Sequence, residues 1–473
     1  MPSKYLLLSF LFCFSLQPTT AQDYITLGKP GTETFQDITV LSNGDFTIAG
    51  KTRAQGAGSD DMSLTFFSTD GKLKYCNTYG KEKSDIPFAL HTAKNGDVLM
   101  VGQGFEKVDN NGSSVILYRL DKFGKQIWKQ VLKGRSGYAV TELENGNIAV
   151  GGYLNSDFSL AIVSENGNIL LEGSYGTDYK DYAFGLLETS DNGYLIGGIK
   201  AGFHSPEGHD MNIPDSDLLF IKVREDGVEQ WRKEEGEAGH DFFSQMMTDG
   251  NGNIYVVGST QGDGKQSFDA FLMKMDEEAN IIWKELVGGT DFEYGLDLAM
   301  DANGNIYICG ATNSNTTNEN PDLFAAKFDP LGNELWYKQL GSSASEYANG
   351  IAISNTQEVL VIGSSSENNE TEYLMAKLDT EGDLLSVNPL SSEGQLLLLS
   401  PNPTPGIVVL GVVTNLFCQD FTYTLYNMEG QLLSHQKAQG TTVLDLSHLP
   451  SGMYIVVVLL EDGTELSEKI MRQ

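Results

Sequence analysis

The sequence predicts an all-β protein: a seven-bladed β-propeller of four-stranded blades, followed by a small immunoglobulin-like β-sandwich. Three observations predict it. A unit of about 50 residues recurs along most of the chain, an Asn-Gly turn recurs near the start of almost every copy, and all four tryptophans occupy one position of the unit. Internal repeats of this length that contain strands and no helices are typical of propellers.

The clearest copy spans residues 288–341 and contains four short runs of β-branched and aromatic residues. Turns at Asn303-Gly304 and Gly332 separate the strands of its two hairpins, and glycine tolerates the positive φ that such turns require. A single unit of this kind cannot bury both of its faces. Stacking of successive units as blades is therefore expected.

Seven copies can be counted from the glycine that closes the last strand of each unit. Trp128, Trp231, Trp283 and Trp336 share one slot of the repeat, and burial of such large side chains predicts that they pack between neighbouring blades. The closing glycines are Gly28, Gly80, Gly134, Gly176, Gly236, Gly288 and Gly341.

The ends of the chain provide two candidates for closing the ring. Residues 23–28 resemble the last strand of a blade, and we predict that they complete the blade that begins at Gly341. Such pairing removes an exposed sheet edge. The alternative is that Leu384 to Leu390 supplies this strand.

Residues 1–21 have the pattern of a secretory signal peptide, with cleavage predicted between Ala21 and Gln22. The apolar run is too short to span a membrane, so no transmembrane segment is predicted. A formal net charge of −33 excludes nucleic acid as a partner.

The cysteines predict no disulfide framework. After removal of the signal peptide only Cys76, Cys309 and Cys418 remain, and they lie in different copies or domains. Their number is also odd.

The composition changes after about residue 390, and this change predicts a propeller over residues 22–390, a linker over 391–398 and a separate β-domain over 399–473. Its motifs are Ser400 to Pro403, Tyr426 to Gly430, Asp445 to Tyr454, and Lys469. In this order they resemble those of the type A C-terminal sorting domain of the type IX secretion system. The matching residues are Pro401, Asn402, Pro403, Gly430, Asp445, Leu446, Leu449, Gly452, Tyr454 and Lys469.

The copies over residues 23–390 also resemble the bacterial seven-bladed β-propeller repeat family, which implies a fold and no particular activity. The sorting-domain resemblance implies the type IX secretion machinery as a partner. It also implies transport through the outer membrane of a diderm bacterium, followed by attachment to the cell surface or release.

An acidic residue recurs five positions after the closing glycine, and the short third copy has Ala139 there instead. A ring of carboxylates on one rim of the channel is a candidate calcium site. The alternative is that each carboxylate caps its own turn by accepting backbone N–H bonds. No other cofactor is indicated. The acids are Glu33, Asp85, Asp181, Asp241, Glu293 and Glu346.

The fourth copy breaks the symmetry with an enlarged loop between its second and third strands. Long loops on a rigid scaffold often carry function, although this spacing matches no metal motif, and a solvated polar loop is the alternative. Its chemistry-bearing residues are His204, Glu207, His209, Asp210, Asp215 and Asp217.

Two classes of function remain. The first is a secreted or surface binding module whose propeller face recognises an extracellular protein or glycan. The second is an extracellular propeller hydrolase or lyase acting on polysaccharide or peptide, with acids at the channel mouth and a histidine of the fourth-copy loop. The absence of a sequence signature for nucleophilic or paired-acid catalysis favours binding.

Overall fold

A computed structural model describes residues 25–27, 33–53, 59–81, 83–106, 112–201, 216–236, 239–262, 267–316, 320–367, 370–385, 395–400, 402–414, 417–418, 421–438, 441–460 and 463–473. Every regular element in these ranges is a β-strand, and the strands within each sheet pair antiparallel. Within the same ranges, no helix is long and apolar enough to cross a membrane. The all-β prediction is confirmed.

Six sheets each contain four strands that are consecutive in the chain. Sheet 1 contains β2 (Glu33–Val40), β3 (Phe46–Thr52), β4 (Asp61–Phe67) and β5 (Leu73–Tyr79). Sheet 2 contains β6 (Ile86–Thr92), β7 (Val98–Gly104), β8 (Ser114–Leu120) and β9 (Gln126–Leu132). Sheet 3 contains β10 (Ser136–Glu142), β11 (Ile148–Leu154), β12 (Asp157–Val163) and β13 (Ile169–Tyr175).

The next three sheets repeat this order. Sheet 4 contains β14 (Lys180–Glu188), β15 (Tyr194–Ala201), β16 (Asp217–Val223) and β17 (Glu229–Glu235). Sheet 5 contains β18 (Asp241–Thr248), β19 (Ile254–Thr260), β20 (Asp269–Met275) and β21 (Ile281–Val287). Sheet 6 contains β22 (Glu293–Met300), β23 (Ile306–Thr312), β24 (Asp322–Phe328) and β25 (Glu334–Leu340).

Sheet 7 differs because it combines the two ends of the repeat region. It contains β26 (Ser345–Ile353), β27 (Val359–Glu367), β28 (Glu370–Leu378) and, at its outer edge, β1 (Ile25–Leu27). Ile25 lies opposite Met375 in an antiparallel register. This confirms the prediction that the N-terminal segment completes the last sheet. Leu384 makes only an isolated bridge to Leu378, and residues 386–390 lie outside the described ranges.

The turns follow the sequence pattern. Gly304 has a φ of 81°, which a side chain would strain, and this explains the recurring Asn-Gly pair. In the last copy, which lacks that glycine, Gln357 takes the positive φ of 64° instead.

Burial decreases from the inner strands of a sheet to its outer strand. All seven residues of β23 are buried, whereas β25 at the edge of the same sheet has none that is fully buried. The core lies between neighbouring sheets: Tyr307 and Cys309 of sheet 6 pack in one cluster with Ile351 and Val361 of sheet 7. Each sheet is thus stabilised by the two that flank it.

The tryptophan slot packs between sheets, as predicted. Trp128 of sheet 2 donates its indole N–H to the Glu165 carbonyl in sheet 3 at 3.0 Å. Trp336 of sheet 6 donates to the Thr380 carbonyl in sheet 7 at 3.0 Å. Each ring therefore covers a turn of the following sheet while its polar edge is satisfied.

The C-terminal region forms two further four-stranded sheets. Sheet 8 contains β29 (Gln395–Ser400), β30 (Ile407–Thr414), β31 (Phe417–Cys418) and β34 (Thr441–Asp445). Sheet 9 contains β32 (Phe421–Asn427), β33 (Leu432–Ala438), β35 (Gly452–Leu460) and β36 (Glu465–Arg472). Val408 and Leu410 of sheet 8 share a buried cluster with Tyr423 and Val456 of sheet 9.

One expectation from the cysteines is wrong. Cys76 is disulfide-bonded, whereas Cys309 is a free and buried thiol. The odd number of cysteines therefore does not exclude a disulfide in this chain.

The pairing of β1 with β28 predicts that the N-terminal strand stabilises the ring. A chain that begins at residue 29 should have a lower free energy of unfolding than a chain that begins at residue 23. The loss should be about 2–3 kcal/mol, since two or three backbone hydrogen bonds contribute about 1 kcal/mol each and an edge becomes exposed. Denaturant titration of both chains measures the difference. Equal midpoints would mean that β1 does not stabilise sheet 7.

Candidate functional site: the central channel and its rim

The first strands of the seven repeat sheets pack against one another around a central channel. Contacts run from β2 to β6, β10, β14, β18, β22 and β26, and then from β26 back to β2. Side chains that point inward from these strands therefore share one space. This channel and the rim where the strands begin form the candidate site.

Each of these strands has a β-bulge at the same level. The register jumps from Phe35 to Asp37 in sheet 1 and from Gly295 to Asp297 in sheet 6, and the other five first strands have a matching shift. A bulge turns side chains away from the regular alternation and is common beside functional sites.

Two aspartates at the bulges connect neighbouring sheets. The amide of Leu90 donates to Asp37 Oδ2 at 2.6 Å, which links sheet 1 to sheet 2. The amide of Ile351 donates to Asp297 Oδ2 at 2.8 Å, which links sheet 6 to sheet 7. The sequence predicts a role for neither residue, because an acid within a strand belongs to no motif.

Two neutral side chains at the same level complete this side of the channel. Asn349 Nδ2 donates to the Phe35 carbonyl at 2.8 Å, which joins sheet 7 to sheet 1. Ser244 Oγ donates to the Gly295 carbonyl at 2.7 Å, which joins sheet 5 to sheet 6. Side chain to backbone hydrogen bonds therefore run from sheet 5 through sheets 6, 7 and 1 to sheet 2. This set of four contacts is called the polar girdle below.

The opposite wall of the channel is aromatic. The rings of Phe88 and Tyr138 have their centroids 4.8 Å apart, and those of Tyr138 and Phe184 are 5.1 Å apart. Sheets 2, 3 and 4 are thus joined at the bulge level by ring packing, which contributes beyond simple burial. The channel is asymmetric, with one polar and one aromatic wall.

The two channel aspartates have raised pKa values. Burial raises the pKa of Asp37 to about 7, against the opposing effect of the Leu90 and Ile38 amides. Burial also raises the pKa of Asp297 well above its usual range, and the charge of Asp37 adds to this rise. Two carboxyl groups that repel each other in a poorly solvated space disfavour each other's ionised form, so both pKa values lie above the ordinary range.

The predicted acids lie where the first strands begin, and the described ones are buried within their own sheets. The Lys81 amide donates to Asp85 at 2.8 Å, and Ser342 Oγ donates to Glu346 at 2.6 Å. In both cases the donor lies four residues before the acid. The buried members are Asp85, Asp181, Asp241, Glu293 and Glu346, while the side chain of Glu33 lies outside the described part.

Asp181 illustrates the environment of these acids. It accepts hydrogen bonds from the amide and hydroxyl of Thr177 at 2.5 and 3.0 Å. The pKa of Asp181 is raised to about 6, mainly by burial and also by the neighbouring Asp157, against the lowering effects of Thr177 and Arg232. These contacts are the ones that the capping alternative requires. Within the described ranges, no three His, Cys, Asp or Glu side chains converge to hold a metal ion, and calcium binding stays a prediction.

The third copy requires a correction. Gly137 pairs with Gly152 as Gly295 pairs with Gly310, so the position equivalent to Glu293 is Arg135 and not Ala139. The segment before the first strand is shorter in this copy, and counting from the closing glycine therefore moves the position along the chain. At this point the rim has a cation among the acids.

The rim beside sheets 5 and 6 has an aromatic patch. The patch consists of Phe242, Phe268, Phe292 and Tyr294, and is called the rim aromatic cluster below. Phe268 is at its centre, with its ring centroid 5.3 Å from Phe242, 6.2 Å from Phe292 and 5.8 Å from Tyr294. Phe292 is 38% exposed, as is the nearby Tyr347. Exposed aromatic side chains in one patch are typical of interaction surfaces.

The enlarged loop of the fourth copy is mostly outside the described residues, including His204, Glu207, His209, Asp210 and Asp215. Asp217 is described and begins β16. Its position at the start of a third strand places it on the same rim as the acids that begin the first strands. Residues 1–21 and Gln22, with the predicted cleavage site, also lie outside the described part.

The sorting-motif residues cluster at one end of sheets 8 and 9. Asn402 Nδ2 donates to the Lys469 carbonyl at 2.7 Å, and the Met471 amide donates to Asn402 Oδ1 at 2.9 Å. Leu446 and Tyr454 are buried in the shared core. Gly430 and Gly452 have positive φ. Asp445 Oδ1 accepts a hydrogen bond from the Ser447 amide at 2.9 Å. The Leu449 amide donates to the Leu446 carbonyl. Pro403 follows a cis peptide bond, and Pro401 is outside the described residues.

Comparison with known proteins identifies two families. Residues 399–473 match the secretion system C-terminal sorting domain, and residues 230–265 match a β-propeller repeat. The first match indicates export through the type IX secretion system to the cell surface or the extracellular space. The second match covers parts of sheets 4 and 5, which therefore resemble a β-propeller repeat.

Curated relatives match only short segments. The regulatory protein FlaEY of Caulobacter vibrioides is 24% identical over 146 residues, which are 26% of this chain and 15% of that protein. An uncharacterized WD repeat-containing protein, L264, of Acanthamoeba polyphaga mimivirus is 23% identical over 154 residues, which are 27% of this chain and 10% of that protein. The chain thus spans less than a fifth of the length of these relatives.

Solved structures that this chain resembles include the β-propeller domain of the trilobed protease from Pyrococcus furiosus. It is 9% identical, with a TM-score of 0.44 over 77% of this chain and 99% of that one. Drosophila Plexin A is 9% identical, with a TM-score of 0.45 over 75% of this chain and 87% of that one. At such identities the likeness concerns the fold alone.

The raised pKa of Asp37 predicts a pH-dependent stability. Its native pKa of about 7 exceeds the ordinary value of 3.8, so the native state binds this proton more tightly than the unfolded state. The stabilisation that comes from binding this proton is present at low pH and is lost as pH rises through 7. The stability of Asp37→Asn relative to the natural protein should therefore increase between pH 5 and pH 8. The change should be on the order of 2 kcal/mol, since one pKa unit corresponds to about 1.4 kcal/mol.

Denaturant titrations at several pH values measure this difference. Asp70→Asn is the matched control: Asp70 lies in an exposed turn, and the hydrogen bond from Lys72 lowers its pKa to about 2. Its stability difference from the natural protein should be constant over the same range. A stability difference that is constant with pH for Asp37→Asn as well would contradict the raised pKa of Asp37.

Proposed function

We propose that this protein is a non-catalytic binding module that is exported by the type IX secretion system. It recognises an extracellular protein or glycan on one rim of a seven-bladed β-propeller. In this proposal the signal peptide spans 1–21, the propeller spans 22–390, the linker spans 391–398, and the immunoglobulin-like sorting domain spans 399–473.

The circle of first-strand contacts supports the seven-bladed arrangement. The contact between β26 and β2 joins the last repeat sheet to the first, and β1 adds an N-terminal strand to sheet 7. A closed ring leaves no repeat sheet with an unpacked inner face. The ends of the strands then form two fixed rims, on which a ligand surface is preorganised.

The rim aromatic cluster is the observation that carries the binding proposal. Its members come from three different segments of the chain, which begin β18, β20 and β22. Phe292 is more than a third exposed while its ring lies 6.2 Å from that of Phe268, so the cluster presents aromatic surface at the rim. Aromatic side chains provide large contact areas at a low cost in conformational entropy, which suits recognition of a protein or a glycan.

The contacts of the acids support binding over catalysis. Asp37 and Asp297, the asymmetric pair in the channel, already accept backbone amides from neighbouring sheets. Acids of the ring such as Asp85, Asp181 and Glu346 accept hydrogen bonds from their own turns. We infer that these three acids are structural caps rather than calcium ligands. The competing hydrolase or lyase would depend on a histidine in residues 202–215, outside the described part.

Substitution of the rim aromatic cluster tests the proposed function. The double variant Phe268→Ala/Phe292→Ala should stay folded and should lose binding by about tenfold or more, since a contact residue at the centre of an interface contributes at least about 1.4 kcal/mol. Glycan and peptide arrays probed with the natural protein identify the ligand, and calorimetry with that ligand measures the loss.

The matched control is Ile281→Ala/Ile282→Ala. These residues are 43% and 54% exposed at the opposite end of the outer strand β21, where Ile281 pairs with Met275 at the end of β20. The control should bind like the natural protein. Equal binding by both double variants, or hydrolysis of an array ligand by the natural protein, would contradict the proposal.

A further inference from the structure

Sheet 8 of the C-terminal region packs on the outer strand of sheet 1. Strands β29, β30, β31 and β34 of sheet 8 all contact β5. Val409 of β30 is 2% exposed and belongs to the same hydrophobic cluster as Leu64, Phe66 and Tyr75 of sheet 1. An edge that is otherwise open to solvent is thus covered, and the two regions share one buried interface.

Cys76 lies in this interface. It belongs to β5, is 4% exposed, and is disulfide-bonded. The chain has four cysteines, and Cys309 is excluded as the partner because it is a free thiol in sheet 6. Cys13 and Cys418 remain. Cys13 precedes the predicted cleavage site, whereas Cys418 belongs to β31, a strand that contacts β5.

We infer that a disulfide between Cys76 and Cys418 joins the sorting domain covalently to the propeller. The inference rests on the proposed function only for its consequence, since the bond itself can be tested in purified protein. The disulfide would crosslink the propeller to the sorting domain that directs its export.

Formation of the bond requires an oxidant, and the export route passes through an oxidising compartment that contains one. Two thiols lose two protons and two electrons as the S–S bond forms. A disulfide donor of the oxidising compartment accepts them by thiol–disulfide exchange and leaves as a dithiol. Reduction by two equivalents of a thiol reverses the reaction. Burial of Cys76 in the interface limits the access of such a thiol.

The consequence concerns processing. Hydrolysis of a peptide bond in the linker between the propeller and the sorting domain would leave the two parts attached through the disulfide. Complete release would need both hydrolysis and reduction. The crosslink would therefore hold the sorting domain on the propeller after cleavage, and would let the redox state of the surroundings determine its release.

A cleavable linker tests the inference in the full chain. A site for a specific protease is inserted after residue 390, and the cleaved protein is denatured in detergent and separated by electrophoresis with and without reductant. The natural cysteines should give one band without reductant and two bands with it. Cys76→Ser and Cys418→Ser should each give two bands under both conditions, and the control Cys309→Ser should behave like the natural protein.

Two bands without reductant from the natural protein would overturn the inference. An unreduced peptide map provides a second readout that needs no substitution and is unaffected if a variant fails to fold. It should contain the Cys76 peptide joined to the Cys418 peptide, and a Cys76 peptide joined to Cys13 would overturn the inference equally. Neither result depends on ligand binding, so failure of the proposed function would be seen separately.

Discussion

The closed circle of first strands is the constraint on which the rest of this structure depends. It is held at the level of the β-bulges, where the polar girdle links sheets 5, 6, 7, 1 and 2, and ring packing links sheets 2, 3 and 4. One of these contacts, from Asn349 to the Phe35 carbonyl, joins residues 314 positions apart in the chain. A bond of this range stabilises the fold only after the whole repeat region has been ordered.

Closure of the circle explains which parts of the sheets are buried and which are free to vary. Because each repeat sheet buries its faces against two neighbours, the rims are free to vary without loss of the core. The outer edge of sheet 7 is paired with β1, and the outer edge of sheet 1 is covered by the sorting domain. The proposed binding surface and the inferred crosslink therefore lie at different places on one scaffold, the first at a rim and the second at an outer edge.

The sequence predicted the features that repeat. The Asn-Gly turns, the tryptophan slot and the N-terminal closing strand all follow from periodicity, because a structural role recurs in every copy. Features that occur only once in the chain could not be predicted from periodicity. Asp37 and Asp297 are single acids within strands, the rim aromatic cluster is assembled from three separate segments, and the disulfide of Cys76 depends on packing that no spacing records.

Arg135 shows how a repeat count fails: one short copy moves the equivalent position by four residues, and only the strand register reveals it. The acids illustrate a different limit. Their recurrence in almost every copy favours a structural role, and the hydrogen-bond donors that support this role, such as Thr177 for Asp181, become apparent only in three dimensions.

Hydrogen exchange of the full chain tests the closed circle most directly. If the circle is closed, the repeat region opens as one cooperative unit. Amides of β2 and β26, on either side of the closure, should then exchange as slowly as amides of β14 and β18 in the interior of the repeat region. Faster exchange confined to β2, β26 and β28, with β14 and β18 still protected, would contradict it, since the ring would then open at the junction of its two ends.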